Sequence, residues 1–310
     1  NIGIWNEMYL SVSGDVTIEN PFVNAKLPLP DTSKADLTVK VNLVNHSDKN
    51  IKGVLKGSIG EKSFEYPVEL DANENKPVTL DKSALPVLHI TNPRLWWPNG
   101  YGEQNLYDVK LQFVVNSSVS DEKEFKTGIR EMTYSEAGNA LRMWVNGKRF
   151  IPRGGNWGFS ESNLRYRSRE YDIAIRYQKE MNFNMLRNWV GQTGDNEFFE
   201  ACDKYGILIF QDFWLANPGD GPNPNDHKLF MQNTDDFIKR IRNHPSIGLY
   251  CGRNEGFPPE ELDKYFRKVI PELNPGIHYI SSSADLVVSG HGPYASRPLK
   301  YYFSERATKL

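Results

Sequence analysis

Residues 242–255 read RNHPSIGLYCGRNE. Within them, residues 247–251 form an apolar run of strand length, and the run ends on Gly-Arg-Asn-Glu. A strand buried on both faces reads as a continuous apolar stretch and belongs to a parallel sheet covered by helices. Outward from this run the same unit recurs. Short apolar segments at RFIPRGG (149–155), NMLRNW (184–189), GILIFQDF (206–213) and HYISSS (278–283) alternate with helical stretches. SREYDIAIRYQKEM (168–181) is predicted to be a helix capped by Ser168, with Tyr171, Ala174, Ile175 and Met181 on one face. DNEFFEACDKYG (195–206) starts at Asp195, buries Phe198, Phe199 and Cys202, and stops at Gly206. DHKLFMQNTDDFIKRIRNHPS (226–246) gives a longer helix ending before Pro245. Strand–helix–strand repetition predicts a parallel sheet with helices outside.

The first 130 residues have a different period. DLTVKVNLV sets Leu37, Val39, Val41 and Leu43 against Thr38, Lys40 and Asn42, and YDVKLQFVV repeats the alternation from Tyr107 to Val115. A period of two marks half-buried strands of an antiparallel sheet. Clusters of Gly, Pro, Asn and Asp punctuate them, so a β-sandwich is expected. Between the two halves, LRMWVNGKRF (141–150) reads as a hairpin turning at Asn146-Gly147.

The chain has 310 residues and a formal net charge of -2, with no basic stripe, so nucleic acid and anionic membrane surfaces are not expected partners. No apolar run approaches the roughly 18 residues of a membrane span. The two cysteines, Cys202 and Cys251, lie outside any CxxC or Cys/His cluster, which argues against a zinc site and for buried thiols. His244 fits a helix–strand junction, and His291 either faces a ligand or belongs to a structural loop. Asn45-His-Ser and Asn116-Ser-Ser match the glycosylation pattern.

Chemistry is expected where the parallel strands end. There the sequence supplies Asn156 and Trp157, then Arg187, Asn188 and Trp189, then Asp212 and Trp214 with a long Pro/Gly loop, then Arg253, Asn254 and Glu255. Indole planes pack against the C–H face of a pyranose, and amides, carboxylates and guanidinium groups bind its hydroxyls. Each Trp taken alone could equally be core. Glycoside hydrolysis needs a general acid whose pKa is raised by partial desolvation, and a neighbouring amide can hold the sugar's 2-hydroxyl. Glu255 fits the first role and Asn254 the second.

RLWWPNGYGEQNLY (94–107), TGIREM (127–132), NGKRFIPRGGNW (146–157), MNFNMLRNW (181–189), YGILIFQDFW (205–214) and RNHPSIGLYCGRNE together resemble glycoside hydrolase family 2, in its β-mannosidase, endo-β-mannosidase and exo-β-glucosaminidase branch. The resemblance implies an immunoglobulin-like β-sandwich over 1–128 and a partial (β/α)8 TIM barrel over 129–310, with residues 1–15 ending a preceding jelly roll. It implies retaining hydrolysis of a β-linked mannoside or glucosaminide without a metal or other cofactor. Glu255 resembles the family's acid/base, Asn254 its sugar-binding partner, and Arg187 the arginine that holds the nucleophile. Trp157, Trp189, Asp212 and Trp214 would line the subsite for the non-reducing sugar, and Asp212 could read a 2-amino group. Glutamate at 255, where some glucosaminidases of this branch carry aspartate, tilts the reading toward mannosides.

The family's nucleophile belongs on a seventh barrel strand, and five or six candidate strands are visible here. A fragment lacking that residue, inactive by itself, is therefore expected. Glu305 in FSER is a poor candidate, since Arg follows it and no apolar strand leads in beyond YYF; Glu260, Glu261 and Glu272 lie in helix-like, solvated contexts. The alternatives are a non-catalytic carbohydrate-binding protein on the same scaffold, and a structural adhesion module built on the sandwich. An adhesion module needs neither the long loop nor the tryptophans.

Overall fold

A computed structural model describes residues 8–138, 140–158, 166–219, 221–288, 298 and 300. His291 and Glu305, weighed above, lie outside the described residues. The chain divides into two compact units, and the division is not a single cut. The first comprises Asn1–Val23, Leu37–His89 and Tyr107–Lys126; the second comprises Asn24–Asp36, Ile90–Leu106 and Thr127–Leu310.

The antiparallel half contains eight strands: β1 (Val16–Lys26), β2 (Lys34–Asn45), β3 (Ile51–Ile59), β4 (Lys62–Leu70), β5 (Asn75–Leu80), β6 (His89–Thr91), β7 (Tyr107–Val115) and β8 (Ser118–Thr127). They form two sheets, β1-β2-β5 with β6 also on β2, and β4-β3-β7-β8. The predicted alternation is realised. Leu37, Val39, Val41 and Leu43 of β2 are buried, as are Val109, Leu111 and Phe113 of β7. Each sheet thus has one apolar face to bury, as a β-sandwich requires. Of the two glycosylation matches, Asn45 is engaged: its buried amide donates to the carbonyls of Lys49 and Asp71.

In the second unit, β9 (Met132–Ser135), β10 (Arg142–Val145) and β11 (Lys148–Phe150) make a small antiparallel sheet. Its hairpin turns at Asn146 and Gly147, both with positive φ, as a two-residue turn of matching twist demands. Then follow β12 (Gly154–Trp157), α1 (Ser168–Glu180), β13 (Met185–Asn188), α2 (Asn196–Tyr205), β14 (Leu208–Asp212), α3 (His227–Ile241), β15 (Ile247–Arg253), α4 (Glu260–Leu273) and β16 (Tyr279–Ser282). The five strands pair in parallel and in chain order, each joined to the next through a helix. β15 is buried along its whole length, as its continuous apolar run requires.

Two boundaries differ from expectation. The first parallel strand is Gly154–Trp157, because Arg149 and Phe150 of RFIPRGG belong to the hairpin; Trp157 therefore sits on the strand. Helix α1 is capped at Arg167, whose backbone N–H donates to Glu170 at 3.1 Å, and Ser168 is its first residue. Tyr171 and Ile175 face the core as predicted, whereas Met181 lies past the last turn and is exposed. Helix α2 matches the prediction, capped at Asp195 and stopped by Gly206 in the left-handed region.

The RLWWPNG segment and the hairpin close the N-terminal end of the parallel sheet. Buried Trp96 donates its indole N–H to the Asp203 carbonyl (2.9 Å), and Asn99 caps the end of α1 through the Lys179 and Phe183 carbonyls. Arg130 donates to the carbonyls of Pro245 and Ile247, and the Tyr134 hydroxyl to that of Gly248. His244 bonds Asp203 (2.6 Å) at the α3–β15 junction. Cys202 and Cys251 are free, buried thiols. Among the described residues no helix is long and apolar enough to cross a membrane.

At the opposite end, a Cβ on Gly252 would stand 2.2 Å from the Tyr279 hydroxyl and 2.8 Å from the Ser281 carbonyl, whereas one on Gly155 would meet nothing within 4 Å. Gly252→Ala should therefore lower unfolding free energy by about 1–3 kcal/mol through overpacking. Gly155→Ala in the same sheet should stay within roughly 0.5 kcal/mol of wild type. Urea denaturation of the two variants checks this, and equal losses would refute it.

Candidate active site

The C-terminal ends of β13, β14 and β15 hold one hydrogen-bonded group. Asp212 is completely buried (0% exposed). Such a carboxylate must be paired or protonated. Arg187, on the neighbouring strand, supplies both partners: Nε donates to Oδ1 at 3.0 Å and Nη2 to Oδ2 at 2.6 Å. The Val190 N–H also donates to Oδ2, at 2.9 Å. Burial pushes the Asp212 carboxyl above its ordinary value, and Arg187 and the Val190 N–H pull against that shift. The guanidinium also lies 5.2 Å from the Phe210 ring, a cation–π contact.

Arg187 Nη2 reaches further, to Asn254 Oδ1 at 2.9 Å. The same oxygen accepts from Trp189 Nε1 at 3.1 Å and from the Ser283 hydroxyl at 3.4 Å. Next to it, Glu255 has φ +49°. Its backbone N–H donates to Ser283 Oγ (3.0 Å), and its Oε2 accepts from Asn217 Nδ2 (2.7 Å). The predicted residues Arg187, Asp212, Trp189, Asn254 and Glu255 thus form one neighbourhood.

The two remaining tryptophans make no hydrogen bond to this group among the described residues, although the Trp214 indole borders Gly191, next to Val190. Trp157 is 8% exposed; its ring stacks on Phe198 at 5.4 Å and its N–H donates to Thr193. That is a packing role, since the flanking aromatics Tyr166 and Tyr171 leave no open platform. Trp214 is 37% exposed and packs edge-on against Phe230 and Phe237 of α3. It borders a depression of about 350 Å³ shared with Asn233, Asp236, Phe237 and Arg240. Asn188 points inward, bonding Thr193 and Gln211. Asn156 is exposed on β12.

Arg253 is the other departure from the sequence reading. It is buried and spent on the long loop, donating to the Ala216 and Gly221 carbonyls and to Asn223 Oδ1. Through this anchor the Pro/Gly loop is held where Asn217 meets Glu255. Asn217 and Ser283 were missed from the sequence; nothing separates Asn217 from its loop neighbours or Ser283 from the Ser-Ser-Ser run in which it sits. Glu260 and Glu261 occupy the first turn of α4, paired with Lys264 and His227. No cluster of three or more potential metal ligands occurs among the described residues.

Residues 16–130 match the family model described as glycosyl hydrolases family 2. A mannosylglycoprotein endo-beta-mannosidase of Lilium longiflorum is 35% identical over 85% of this chain and 29% of its own length. The chain is a member of glycosyl hydrolase family 2. An exo-beta-D-glucosaminidase of Streptomyces avermitilis is 30% identical to this family 2 chain over 99% of it and 36% of the relative. Amycolatopsis orientalis exo-chitosanase CsxA superposes with a TM-score of 0.84 at 23% identity, over 94% of this chain and 36% of that one, which shows a shared fold. The family 2 chain therefore spans about a third of the length of the relatives it matches.

Asp212→Asn should remove the counter-charge of a largely buried guanidinium and cost about 3–5 kcal/mol. Chemical denaturation measures it. A loss below about 1 kcal/mol would show that the pair does not hold this end of the sheet together.

Proposed function

We propose that this chain carries the acid/base half of a retaining glycosidase site for β-linked mannosides or glucosaminides. The observation that carries the reading is the seat of Glu255. Its carboxylate is held by Asn217 beyond the end of a buried parallel strand, beside the Asn254–Arg187–Trp189 group. The names of the mannosidase and glucosaminidase relatives support the substrate class. The architecture proposed with it is an immunoglobulin-like sandwich over 1–128 and the first part of a (β/α)8 barrel over 129–310. Five parallel strands in chain order, each followed into the next through a helix, support that reading.

In this mechanism Glu255 donates its proton to the glycosidic oxygen as the bond to the anomeric carbon breaks. A second carboxylate attacks that carbon and forms a glycosyl ester. Water then attacks the ester, Glu255 takes its proton, and the nucleophile leaves as carboxylate. Arg187 is suited to hold such a carboxylate: Nε and Nη2 are committed, and Nη1 has no partner among the described residues. Asn254 holds the sugar beside the reacting centre, and the 37%-exposed Trp189 offers it an indole face. No described residue is assigned as the nucleophile.

The test is Glu255→Gln in the whole protein. Hydrolysis of aryl β-mannosides or β-glucosaminides with poor leaving groups should fall about 10²–10⁴-fold, and activated aryl glycosides should fall far less. A non-catalytic carbohydrate-binding protein would show no hydrolysis to lose. An equal loss for good and poor leaving groups would remove Glu255 from the acid role.

A further inference from the structure

Asn217 lies in the Pro/Gly loop after β14, and its amide is oriented by the loop itself. Its Oδ1 accepts the Gly219 N–H at 2.8 Å. A backbone N–H only donates, so that end of the amide is the oxygen and the other end is Nδ2. Nδ2 donates to Glu255 Oε2 at 2.7 Å. The Asn217 carbonyl accepts the Gly221 N–H at 2.9 Å, which closes the turn.

Two further contacts hold this turn against the segment that carries Glu255. Arg253, 3% exposed, donates Nε to the Ala216 carbonyl at 2.7 Å, Nη1 to Asn223 Oδ1 at 2.6 Å and Nη2 to the Gly221 carbonyl at 3.2 Å. These acceptors flank Asn217 on both sides in the chain. Pro218 rests on Gly256, where a Cβ would stand 2.5 Å from the proline Cγ. Residues on either side of Glu255 thus grip the loop, and the loop returns one amide to the glutamate.

That amide has a chemical consequence. In a carboxylic acid the carbonyl oxygen accepts and the hydroxyl donates. An N–H fixed on Oε2 marks it as the carbonyl oxygen and places the acid proton on Oε1. As that proton passes to a glycosidic oxygen, the carboxyl becomes a carboxylate and the same N–H makes a charge-assisted bond, the stronger kind. The contact both aims the acid and strengthens as the proton leaves.

We propose that Asn217 is the positioning residue of the general acid, and that Arg253 acts through it by fixing the loop. The proposal rests on the glycosidase reading and deepens it by naming what aims Glu255.

The test measures kcat/KM of the whole protein on aryl β-mannosides or β-glucosaminides of graded leaving-group ability, with Glu255→Gln as the reference. Asn217→Asp keeps an oxygen for the Gly219 N–H, so the turn survives, but it loses the donor, and the new carboxylate draws the acid proton toward itself. It should lower kcat/KM for poor leaving groups about 10–100-fold, the scale of a misplaced catalytic group. Activated leaving groups need little protonation and should be nearly unaffected. Asn217→Ala should show the same dependence, and in the Glu255→Gln background neither substitution should cost anything further. Asn223→Ala removes one acceptor of Arg253. It should reproduce the pattern at smaller size and add nothing to Asn217→Ala. Wild-type rates for Asn217→Asp, or equal losses across all leaving groups, would overturn the positioning role. The glycosidase reading would then still stand on the leaving-group dependence of Glu255→Gln. Additive losses from Asn223→Ala and Asn217→Ala would overturn the role given to Arg253. Absence of leaving-group dependence in Glu255→Gln itself would overturn both readings.

Discussion

The buried Arg187–Asp212 pair is the constraint on which the site depends. It joins adjacent strands at their C-terminal ends, and its geometry leaves little freedom, because a carboxylate taking two parallel N–H bonds fixes the plane of the guanidinium. Once that plane is fixed, Nη2 points at Asn254, and the amide must turn its oxygen toward it. Trp189 and Ser283 complete the same acceptor. Two strands and the segments after two more are thereby linked by one chain of hydrogen bonds, of which those of Arg187 are charge-assisted. Replacing the pair by apolar residues could preserve stability, but it would remove the charged one of the three donors that fix the amide of Asn254. The pair is better understood as an orienting device than as a source of stability.

Backbone strain gathers at the same place. Val190 and Glu255 adopt φ of +53° and +49°, and Val190 is β-branched, a type that rarely enters the left-handed region. Such conformations cost of order 1–3 kcal/mol each and persist where surrounding bonds determine them. Both are so held. The Val190 N–H is fixed on Asp212 and the Glu255 N–H on Ser283. The turn after β13 brings the Trp189 indole over Asn254, and the turn after β15 swings Glu255 toward the Asn217 loop. Strain is spent on aiming two side chains.

Much of this was legible in the residues. Strand alternation in DLTVKVNLV, the Asn146-Gly147 turn, the left-handed stop at Gly206 and the wholly apolar β15 are local signals with local causes, and the structure reproduces them. The grouping of Arg187, Trp189, Asp212, Asn254 and Glu255 was legible as well, because these residues end neighbouring apolar strands. What escaped was direction and partnership. Trp157 and Trp189 both belong to an Asn/Trp pattern at strand ends, yet one indole is sealed against Phe198 and the other is partly open, since the first lies on its strand and the second beyond it. Asp212 could be read as facing a sugar's 2-amino group because the arginine that takes both its oxygens lies 25 positions away in the chain. Asn217 and Ser283 acquire their roles only through a loop anchored by Arg253 and a strand end set by β15–β16 pairing.

That leaves the reason why a buried strand ends on arginine, asparagine and glutamate in succession. Side chains alternate direction along a strand, so three consecutive polar residues cannot all face one ligand unless the backbone breaks. Here it does break, at Glu255. Before the break, Arg253 turns away from the amide group and into the Ala216–Asn223 loop, where carbonyls and an amide satisfy its buried charge. Asn254 turns the other way, onto Arg187 and Trp189. The positive φ at 255 then places the glutamate against the loop that Arg253 has pinned. The arginine anchors the loop, the asparagine accepts from Arg187, Trp189 and Ser283, and the glutamate meets the anchored loop at Asn217. Exchanging any two of these residues would put a buried cation or an unanchored acid where the other belongs, so the order Arg-Asn-Glu is imposed by the alternation of the strand and the one place where that alternation stops.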